Sequence, residues 1–276
     1  MMPPADHGAT AGGPELDDLV AIALRGGARI LSHGVPRGGE VKADGSPVTA
    51  ADRICQASIL SDLAAIAHGL PVVAEEEMSG AAPVGPAPAP DCILVDPLDG
   101  TREFLAGDPD YTVNVAVVRG GWPVAGVVYA PALAMLWAAH AERGAVKMEI
   151  GNDGAILRRV SVRSRLRPER PVALASRSHL CAETAAWLHR ENCGEVRYRG
   201  SSLKICLVAE GAADLYPRLG QTRQWDTAAA DAVLRAAGGA VLTLDGVPLA
   251  YGAASPRPDF VNPPFVAYGD PAAAGR

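Results

Sequence analysis

The sequence predicts a mixed α/β (α+β) protein in which sheet and helix form two layers. Short apolar runs bounded by Gly, Pro and Asp predict buried strands, and longer segments with apolar residues at helical spacing predict helices. The pattern changes near residue 150, after which strands and helices alternate more regularly. The 276 residues therefore suffice for an N-terminal α+β domain over 15–150, which would bind metal, and a C-terminal α/β domain over 151–276.

The first half of the chain begins with helices and continues as sheet. Residues 1–14 are a predicted flexible tail. A helix is expected over 15–32, and a capping box at Thr49–Asp52 begins a second helix that continues to about residue 68. Two short strands around the turn in "VKADGSPVT" lie between these helices. The other predicted segments are the strands "PVVA" (71–74) and "CILV" (92–95), the hairpin of "TVNVAVV" with "VAGVVYA", and the linker "GAAPVGPAPAP" (80–90).

The second half of the chain alternates strand and helix. We expect strands at "PVALAS", "EVRY", "ADLYP" and "AVLTL". Helices are expected over 179–192, 202–211 and 226–237, the last of them ending at Gly238-Gly239. No internal repeat is visible in the sequence.

The composition favours a globular protein that binds a small ligand. The net charge of −6 argues against a nucleic-acid polymer as the partner, because that binding depends on a basic surface. Five widely spaced cysteines without a CxxC motif indicate reduced thiols and therefore a cytoplasmic location. Gly120–Ala141 lacks Asp, Glu, Lys and Arg. Its Gly and Pro residues divide it into short strands, so no integral membrane segment is expected.

The nonapeptide "DPLDGTREF" (96–104) is the most informative stretch of the sequence. Asp96 follows a buried strand, so its carboxylate is expected at the carboxyl edge of a sheet, where α/β proteins usually bind ligands. The stiff proline can direct the Leu98 carbonyl outward, and Asp99 is a suitable N-cap for a helix that begins at Gly100. Carboxylate and carbonyl oxygens are ligands that Mg²⁺ prefers. An ordinary turn is the alternative explanation of the same residues.

Two other acidic segments allow a similar pair of explanations. Glu75-Glu76-Glu77 follows a predicted buried strand, so its first carboxylate can face a cleft, although a charged run is commonly a solvated loop. Asp226 lies at the start of a predicted helix, where it is either a ligand or an ordinary N-cap. If the three acidic segments converge, two carboxylates about 4 Å apart repel by about 4 kcal/mol at an effective dielectric of about 20. Such a cluster requires two or more divalent cations, an arrangement that suits in-line attack on phosphorus.

Four segments resemble the motif series of the inositol monophosphatase superfamily, the lithium-sensitive metal-dependent phosphatases. They are "DGSPVTAAD", "VVAEEE", "DPLDGTREF" and "WDTAAADAVLRAAGG", and they occur in the order of that family. Within the superfamily, "SRSH" (176–179) and "GSSLKICLVAEGAADLYPRLG" (200–220) resemble the CysQ-type 3'(2'),5'-bisphosphate nucleotidases. The resemblance implies a layered α/β/α/β/α fold of the sugar-phosphatase type with two sheets.

The resemblance also implies a site for two or three Mg²⁺ ions. The implied ligands are Glu75, Asp96, the Leu98 carbonyl, Asp99 and Asp226. Asp96 would bridge a first ion, which Glu75 and Leu98 also bind, and a second ion. The family motif has two adjacent glutamates where this chain has three, so Glu76 is the alternative to Glu75.

The catalytic and substrate-binding residues are implied by the same resemblance. Thr101 and Asp52 resemble the hydrogen-bonded pair that helps to remove a proton from the attacking water, and Glu75 would assist through the metal. Helix capping is the alternative role of Asp52. No covalent phosphoenzyme is expected, because no Cys or Ser lies in an activated-nucleophile motif. The implied substrate contacts are Gly100, Thr101, His179, Ser201, Lys204, Arg218 and Asp226.

The function implied by the resemblance is Mg²⁺-dependent hydrolysis of 3'-phosphoadenosine 5'-phosphate to AMP and phosphate, in sulfur metabolism, with inhibition by Li⁺. Hydrolysis of inositol or sugar monophosphates by the same residues remains open, as does binding of a phosphonucleotide without catalysis. The expected partner is a small phosphonucleotide, and the expected state is a monomer or homodimer in the cytoplasm. Peripheral association of the protein with the inner face of the cell membrane is an expectation that rests on the resemblance alone.

Overall fold

The computed structural model describes residues 13–35, 38–42, 45–78, 85–257 and 259–275, and these residues form seven α-helices and fourteen strands. The helices are α1 (Leu16–His33), α2 (Ala50–Ile66), α3 (Glu75–Met78), α4 (Thr101–Leu105), α5 (Ala182–Arg190), α6 (Leu203–Ala209) and α7 (Ala228–Ala236). The strands are β1 (Glu40–Val41), β2 (Pro47–Val48), β3 (Val72–Ala74), β4 (Cys92–Asp99), β5 (Thr112–Arg119), β6 (Trp122–Ala130), β7 (Met135–His140), β8 (Gly144–Ile150), β9 (Ile156–Val162), β10 (Val172–Ser176), β11 (Glu195–Arg199), β12 (Leu215–Arg218), β13 (Ala240–Thr243) and β14 (Phe265–Tyr268).

Strands β3 to β9 form a seven-stranded sheet in the order of the sequence. The β3–β4 pair is parallel and the other neighbours are antiparallel. Both faces of its centre are buried: Val113, Val115 and Val117 of β5 pack in the core beneath α1 and α2, whereas Ala116 and Val118 pack in the core that contains α7. Burial on both faces explains the continuous apolar runs that predicted these strands.

The second sheet has five strands in the order β11-β10-β12-β14-β13. Helices α6 and α7 lie between the two sheets and share one core with them, while α5 covers the outer face of the second sheet, where Leu188 packs near Leu215 and Val266. The layers therefore follow each other as α/β/α/β/α with two sheets, which confirms the predicted fold.

A glycine allows α7 to lie directly against the first sheet. A Cβ atom at Gly126 of β6 would lie 2.5 Å from the Ala229 carbonyl oxygen, a distance that real Cβ atoms essentially never show. Because α7 begins two residues after Asp226, this close approach brings Asp226 to the carboxyl end of β4.

The predicted elements agree with the structure except at their ends, in three strands and in the short helix α3, which begins at Glu75 where the sequence suggested a strand end or a loop. Strands β8, β9 and β14 were not predicted, and the first sheet continues through Val162, past the predicted boundary at residue 150. Gly120–Ala141 contains β6 and β7, as expected. None of the helices in the described part of the chain has the length and apolar character needed to cross a membrane. Most of the predicted tail, part of the "ADGSP" turn and residues 80–84 of the predicted linker lie outside the described residues.

Candidate active site

A cavity of about 330 Å³ opens where the end of β4, the start of α4 and the segments that precede α6 and α7 meet. Every predicted site residue except Asp52 lines this cavity, and Asp52 is connected to it through Thr101. The predicted residues that line the cavity are Glu75, Asp96, Leu98, Asp99, Gly100, Thr101, His179, Ser201, Lys204, Arg218 and Asp226.

The end of β4 turns sharply, and this turn positions the first part of the site. The Leu98 backbone N–H donates to Asp96 Oδ1 at 3.0 Å. Gly100 caps α4 with φ +95°, a conformation that favours glycine, and a Cβ there would lie 3.1 Å from the Asp110 carbonyl oxygen. The prediction that Asp99 is the N-cap is therefore wrong. Asp99 instead accepts a hydrogen bond of 2.5 Å from the Ser202 backbone N–H.

The acidic side chains at this end of the cavity interact strongly with one another. Asp96 is 1% exposed and hydrogen-bonds to the Glu75 carboxyl group. Burial, together with repulsion from Glu75, Asp99 and Asp226, raises the pKa of Asp96 well above its usual range. Burial and the same kind of repulsion raise the pKa of Asp226. Burial also raises the pKa of Asp99 to about 6, against the opposing effects of Lys204 and the Ser202 N–H.

Asp226 does not cap α7, so the alternative explanation of this residue as an N-cap is wrong. It ends a 3-10 turn over Gln224–Asp226, and Thr227 is the N-cap of α7. Asp226 Oδ2 accepts a hydrogen bond of 2.8 Å from the Arg223 backbone N–H. The turn therefore holds the Asp226 carboxylate at the wall of the cavity, where it repels Asp99 and Glu75.

The donor set fits magnesium chemically, although the side chains are engaged with other partners. As the side chains now lie, no three His, Cys, Asp or Glu groups among the described residues form a ready metal-binding cluster. Glu75, for example, forms an ion pair with Lys42 at 2.6 Å. The fit rests on hard oxygen donors around one cavity and on the contact between the Glu75 and Asp96 carboxyl groups. Two carboxyl groups in contact, of which one is buried, need a proton or a cation between them.

Lys42 is a part of the site that the sequence did not identify. Its side chain is 6% exposed, and its Nζ lies 2.6 Å from Glu75 Oε1 and 2.7 Å from Glu76 Oε1. Burial and the charge of Glu75 raise the pKa of Glu76 to about 7, although Lys42 opposes this shift. The only available signal was the position of Lys42 in "VKADGSPVT", a segment that overlaps one of the motifs.

Asp52 caps α2, which is one of its two predicted roles, and it also contacts Thr101, its expected partner in the other. Its Oδ2 accepts hydrogen bonds from the Thr49 backbone N–H at 2.7 Å and from Thr49 Oγ1 at 2.6 Å, which completes the predicted capping box of α2. Its Oδ1 lies 3.1 Å from Thr101 Oγ1. Burial raises the pKa of Asp52, against the opposing Thr49 hydrogen bonds.

Another part of the cavity lining, called here the basic side, consists of basic side chains. Lys204 is 3% exposed, and burial lowers its pKa to about 8, although Asp99 opposes this shift. Burial also lowers the pKa of His179 to about 4, with further contributions from Arg218 and Arg102. The helix after His179 is capped by Cys181, so His179 is not its N-cap.

A buried carboxylate that the sequence did not identify holds the basic segment in place. Asp110 is 1% exposed and accepts a hydrogen bond of 3.0 Å from the Gly200 backbone N–H. Its carboxylate also forms ion pairs with Arg199 at 2.8 Å and with Arg177 at 3.2 Å. Ser201, which follows Gly200 in the chain, has φ +47°. Asp110 thus fixes the start of the segment that contributes Ser201 to the cavity.

Comparison with known proteins identifies the family. The sequence model described as the inositol monophosphatase family matches residues 18–259 of this chain. The chain belongs to the inositol monophosphatase family. The motifs that carried the resemblance all lie within the matched range or at the cavity, so the family assignment and the site agree.

Two relatives within this family are similar over almost the whole chain. The 3'(2'),5'-bisphosphate nucleotidase CysQ of Escherichia coli O157:H7 is 41% identical over 256 residues, which cover 91% of this chain and 98% of that protein. The crystal structure of CysQ from Bacteroides thetaiotaomicron is 34% identical, with a TM-score of 0.75 over 92% of this chain and 96% of that chain. An inositol monophosphatase from Thermotoga maritima, 22% identical, has a TM-score of 0.72 over 92% and 91% of the two chains and shares the fold.

Proposed function

We propose that this chain is a Mg²⁺-dependent phosphatase that hydrolyses 3'-phosphoadenosine 5'-phosphate to AMP and phosphate. The observation that carries the proposal is a single cavity that is lined both by a cluster of carboxylates and by a set of basic side chains. The relatives named as 3'(2'),5'-bisphosphate nucleotidases support the choice of substrate. Cytoplasmic action on a phosphonucleotide from sulfur metabolism belongs to the same proposal.

The acidic end of the cavity is the proposed metal site. The proposed ligands are Glu75, Asp96, the Leu98 carbonyl, Asp99 and Asp226. When bound there, Mg²⁺ supplies positive charge for the phosphoryl oxygens and lowers the pKa of water. Asp96 is the central ligand in this proposal, because its carboxylate is affected by three other carboxylates of the set.

Thr101 and Asp52 are proposed to accept the proton of the attacking water. Thr101 Oγ1 lies 3.1 Å from Asp52 Oδ1 and 3.2 Å from the Leu98 carbonyl oxygen, so a proton gained at the hydroxyl can pass to the carboxylate. The two hydrogen bonds from Thr49 hold Asp52 in one orientation. The raised pKa of Asp52 makes it a stronger base than an exposed aspartate.

The basic side of the cavity is proposed to bind the nucleotide. His179, Ser201 and Lys204 line this side together with Arg218, and Gly100 and Thr101 also line the cavity. His179 stays neutral at pH 7, because its pKa is lowered to about 4, and it can therefore act as either hydrogen-bond donor or acceptor.

A phosphate-release assay tests this function. The wild-type chain is incubated with 3'-phosphoadenosine 5'-phosphate or inositol 1-phosphate at equal concentrations, with Mg²⁺ or with EDTA. We expect faster release from the nucleotide, and release only with Mg²⁺. A preference for the inositol ester would replace the proposed substrate, and the absence of release from every ester would indicate binding without catalysis.

A further inference from the structure

Four basic side chains besides His179 line the cavity, and they differ in what they already contact. They are Arg102, Lys204, Arg218 and Arg223. A substrate phosphate competes with the contacts that a cation already makes, so a cation without partners binds it at the lowest cost. The existing contacts of each side chain therefore indicate which one is available to a ligand.

Lys204 and Arg218 are engaged with the protein backbone. Lys204 Nζ donates to the Ser201 carbonyl oxygen at 2.6 Å. Arg218 donates from Nη1 to the His179 carbonyl oxygen at 2.8 Å and from Nη2 to the Gln221 carbonyl oxygen at 3.0 Å, and its Nε is buried without a partner. The Arg218 guanidinium thus joins two wall segments, and two of its five N–H donors are already committed to them.

Arg223 is engaged as well, whereas Arg102 is not. Arg223 Nη1 donates to the Asp259 carbonyl oxygen at 2.5 Å, and its guanidinium lies 6.0 Å from the centroid of the Trp225 ring. Arg102 is exposed, and its side chain has neither a hydrogen bond nor an ion pair among the residues that the structure describes. Its charge acts on His179, which places it on the basic side of the cavity.

A bisphosphate nucleotide brings two phosphate groups to one cavity. Metal ions at the carboxylates can neutralise only the group that reacts, and the carboxylates repel the other one. The second phosphate therefore needs a protein cation away from Asp96 and Asp226. An arginine fork matches phosphate geometry and stays charged at every physiological pH.

We propose that Arg102 binds the phosphate of the nucleotide that is not hydrolysed and so determines the preference for bisphosphate over monophosphate nucleotides. This inference rests on the function proposed above. It adds Arg102 to the substrate contacts implied by the resemblance, among which Arg218 also holds the backbone at His179 and Gln221.

The test compares two substrates that differ only in the second phosphate. We measure kcat/KM for 3'-phosphoadenosine 5'-phosphate and for adenosine 3'-monophosphate with the wild type and with Arg102→Gln and Arg102→Lys. Loss of a charged hydrogen-bonded pair predicts that Arg102→Gln lowers kcat/KM roughly 10- to 100-fold for the bisphosphate, and less than about 3-fold for the monophosphate. The kcat/KM of Arg102→Lys for the bisphosphate is expected to lie between the values of the wild type and of Arg102→Gln.

A matched control uses an arginine outside the cavity. Arg159 is exposed on β9, so Arg159→Gln removes the same charge without changing the site, and we expect wild-type values for both substrates. An equal loss on both substrates with Arg102→Gln, or no loss on the bisphosphate, would overturn the assignment of Arg102.

A binding measurement separates this inference from the proposed function. Calorimetry gives the affinities of 5'-AMP and adenosine, neither of which has a 3'-phosphate to lose. We expect Arg102→Gln to lower the affinity for 5'-AMP by the same factor of roughly 10 to 100 and to leave the affinity for adenosine unchanged. If the wild type hydrolyses inositol 1-phosphate better than the nucleotide, the proposed function fails, while this comparison still decides the role of Arg102. Equal affinity of wild type and variant for 5'-AMP refutes that role.

Discussion

Thr101 and Asp52 form the pair whose chemistry is easiest to isolate by substitution. Thr101→Val removes the hydroxyl that lies 3.1 Å from Asp52, and we expect kcat to fall roughly 10²- to 10⁴-fold, the usual contribution of a general base. Asp52→Asn should cause a similar loss. Because the two groups act as one unit, the double variant should lose little more than either single variant.

Thr101→Ser is the control for this pair, because it keeps the hydroxyl, and it should retain most of the activity. Asp52→Asn also weakens the cap of α2, so unfolding of each variant is measured separately. Multiplicative losses in the double variant would show that Thr101 and Asp52 act independently.

The raised pKa of Asp99 predicts how the stability of the metal-free protein depends on pH. Its pKa in the folded chain is raised to about 6, chiefly by burial, whereas an unfolded aspartate titrates near 3.8. The folded state therefore binds the proton more tightly, so this contribution to stability is complete below pH 3.8 and is lost as pH rises through about 6. In EDTA, the free energy of unfolding of the wild type should fall relative to that of Asp99→Asn between about pH 4 and pH 6.5 and should change little above that.

Urea unfolding at several pH values measures this difference. Mg²⁺ should restore the stability of the wild type at pH 7.5. Its effect on stability should be smaller at pH 5, where protons compete for the carboxylates. A constant difference between wild type and variant over the whole range would contradict the raised pKa of Asp99.

The site residues that the sequence predicted are those that lie next to strands or helices that it also predicted. Asp96 and Asp99 stand at the end of an apolar strand, and Asp226 stands just before an Ala-rich helix, so their places along the chain were visible. Lys42 was not, because its ion pair with Glu75 joins residues 33 positions apart and forms only in the folded chain. The engagement of Arg218 with backbone carbonyls was hidden for the same reason.

At the scale of elements, Asp110 joins the segment before β5 to the segment between β11 and α6. Asp110→Ala removes the partner of the Gly200 N–H and of Arg199. Asp110 is buried but its two arginine partners are partly exposed, so the main cost is the unsatisfied Gly200 N–H, and we expect the free energy of unfolding to fall by about 1–3 kcal/mol.

The control for Asp110 is an aspartate without such contacts. Asp245 is exposed, and Asp245→Ala should change the free energy of unfolding by less than about 0.5 kcal/mol. Denaturant titration of both variants gives the two values. A loss below about 1 kcal/mol for Asp110→Ala would mean that the ion pairs at Asp110 contribute little net stability.

The elements missed from the sequence share a weak apolar signal. Strand β9 is exposed at six of its seven residues and contains the adjacent Arg158 and Arg159, so it has neither a buried run nor a clear alternation. Its strand conformation comes from pairing with β8 along the edge of the sheet. Strand β14 has four residues, too few for a periodic pattern. Tertiary pairing, rather than local preference, determines both strands.

At the scale of the whole molecule, α7 connects the two sheets. Residues of α7 pack in one core with residues of β5, β13 and β14. We therefore expect a single calorimetric unfolding transition whose calorimetric and van't Hoff enthalpies agree. Two separate transitions would instead support independent domains divided near residue 150, which was the boundary expected from the sequence.

The central claim is that the carboxylate cluster binds Mg²⁺ for phosphate-ester hydrolysis, and Asp96 tests it most directly. We measure Mg²⁺-dependent phosphate release from 3'-phosphoadenosine 5'-phosphate by the wild type and Asp96→Asn, with circular dichroism and thermal unfolding in EDTA to establish that both are folded. Loss of the central ligand removes several kcal/mol of charge stabilisation, so kcat/KM should fall by about 10³-fold or more. Thermal stability in EDTA should stay the same or rise, because one repelled carboxylate is gone. Mg²⁺-dependent turnover retained by a folded Asp96→Asn variant would contradict the claim.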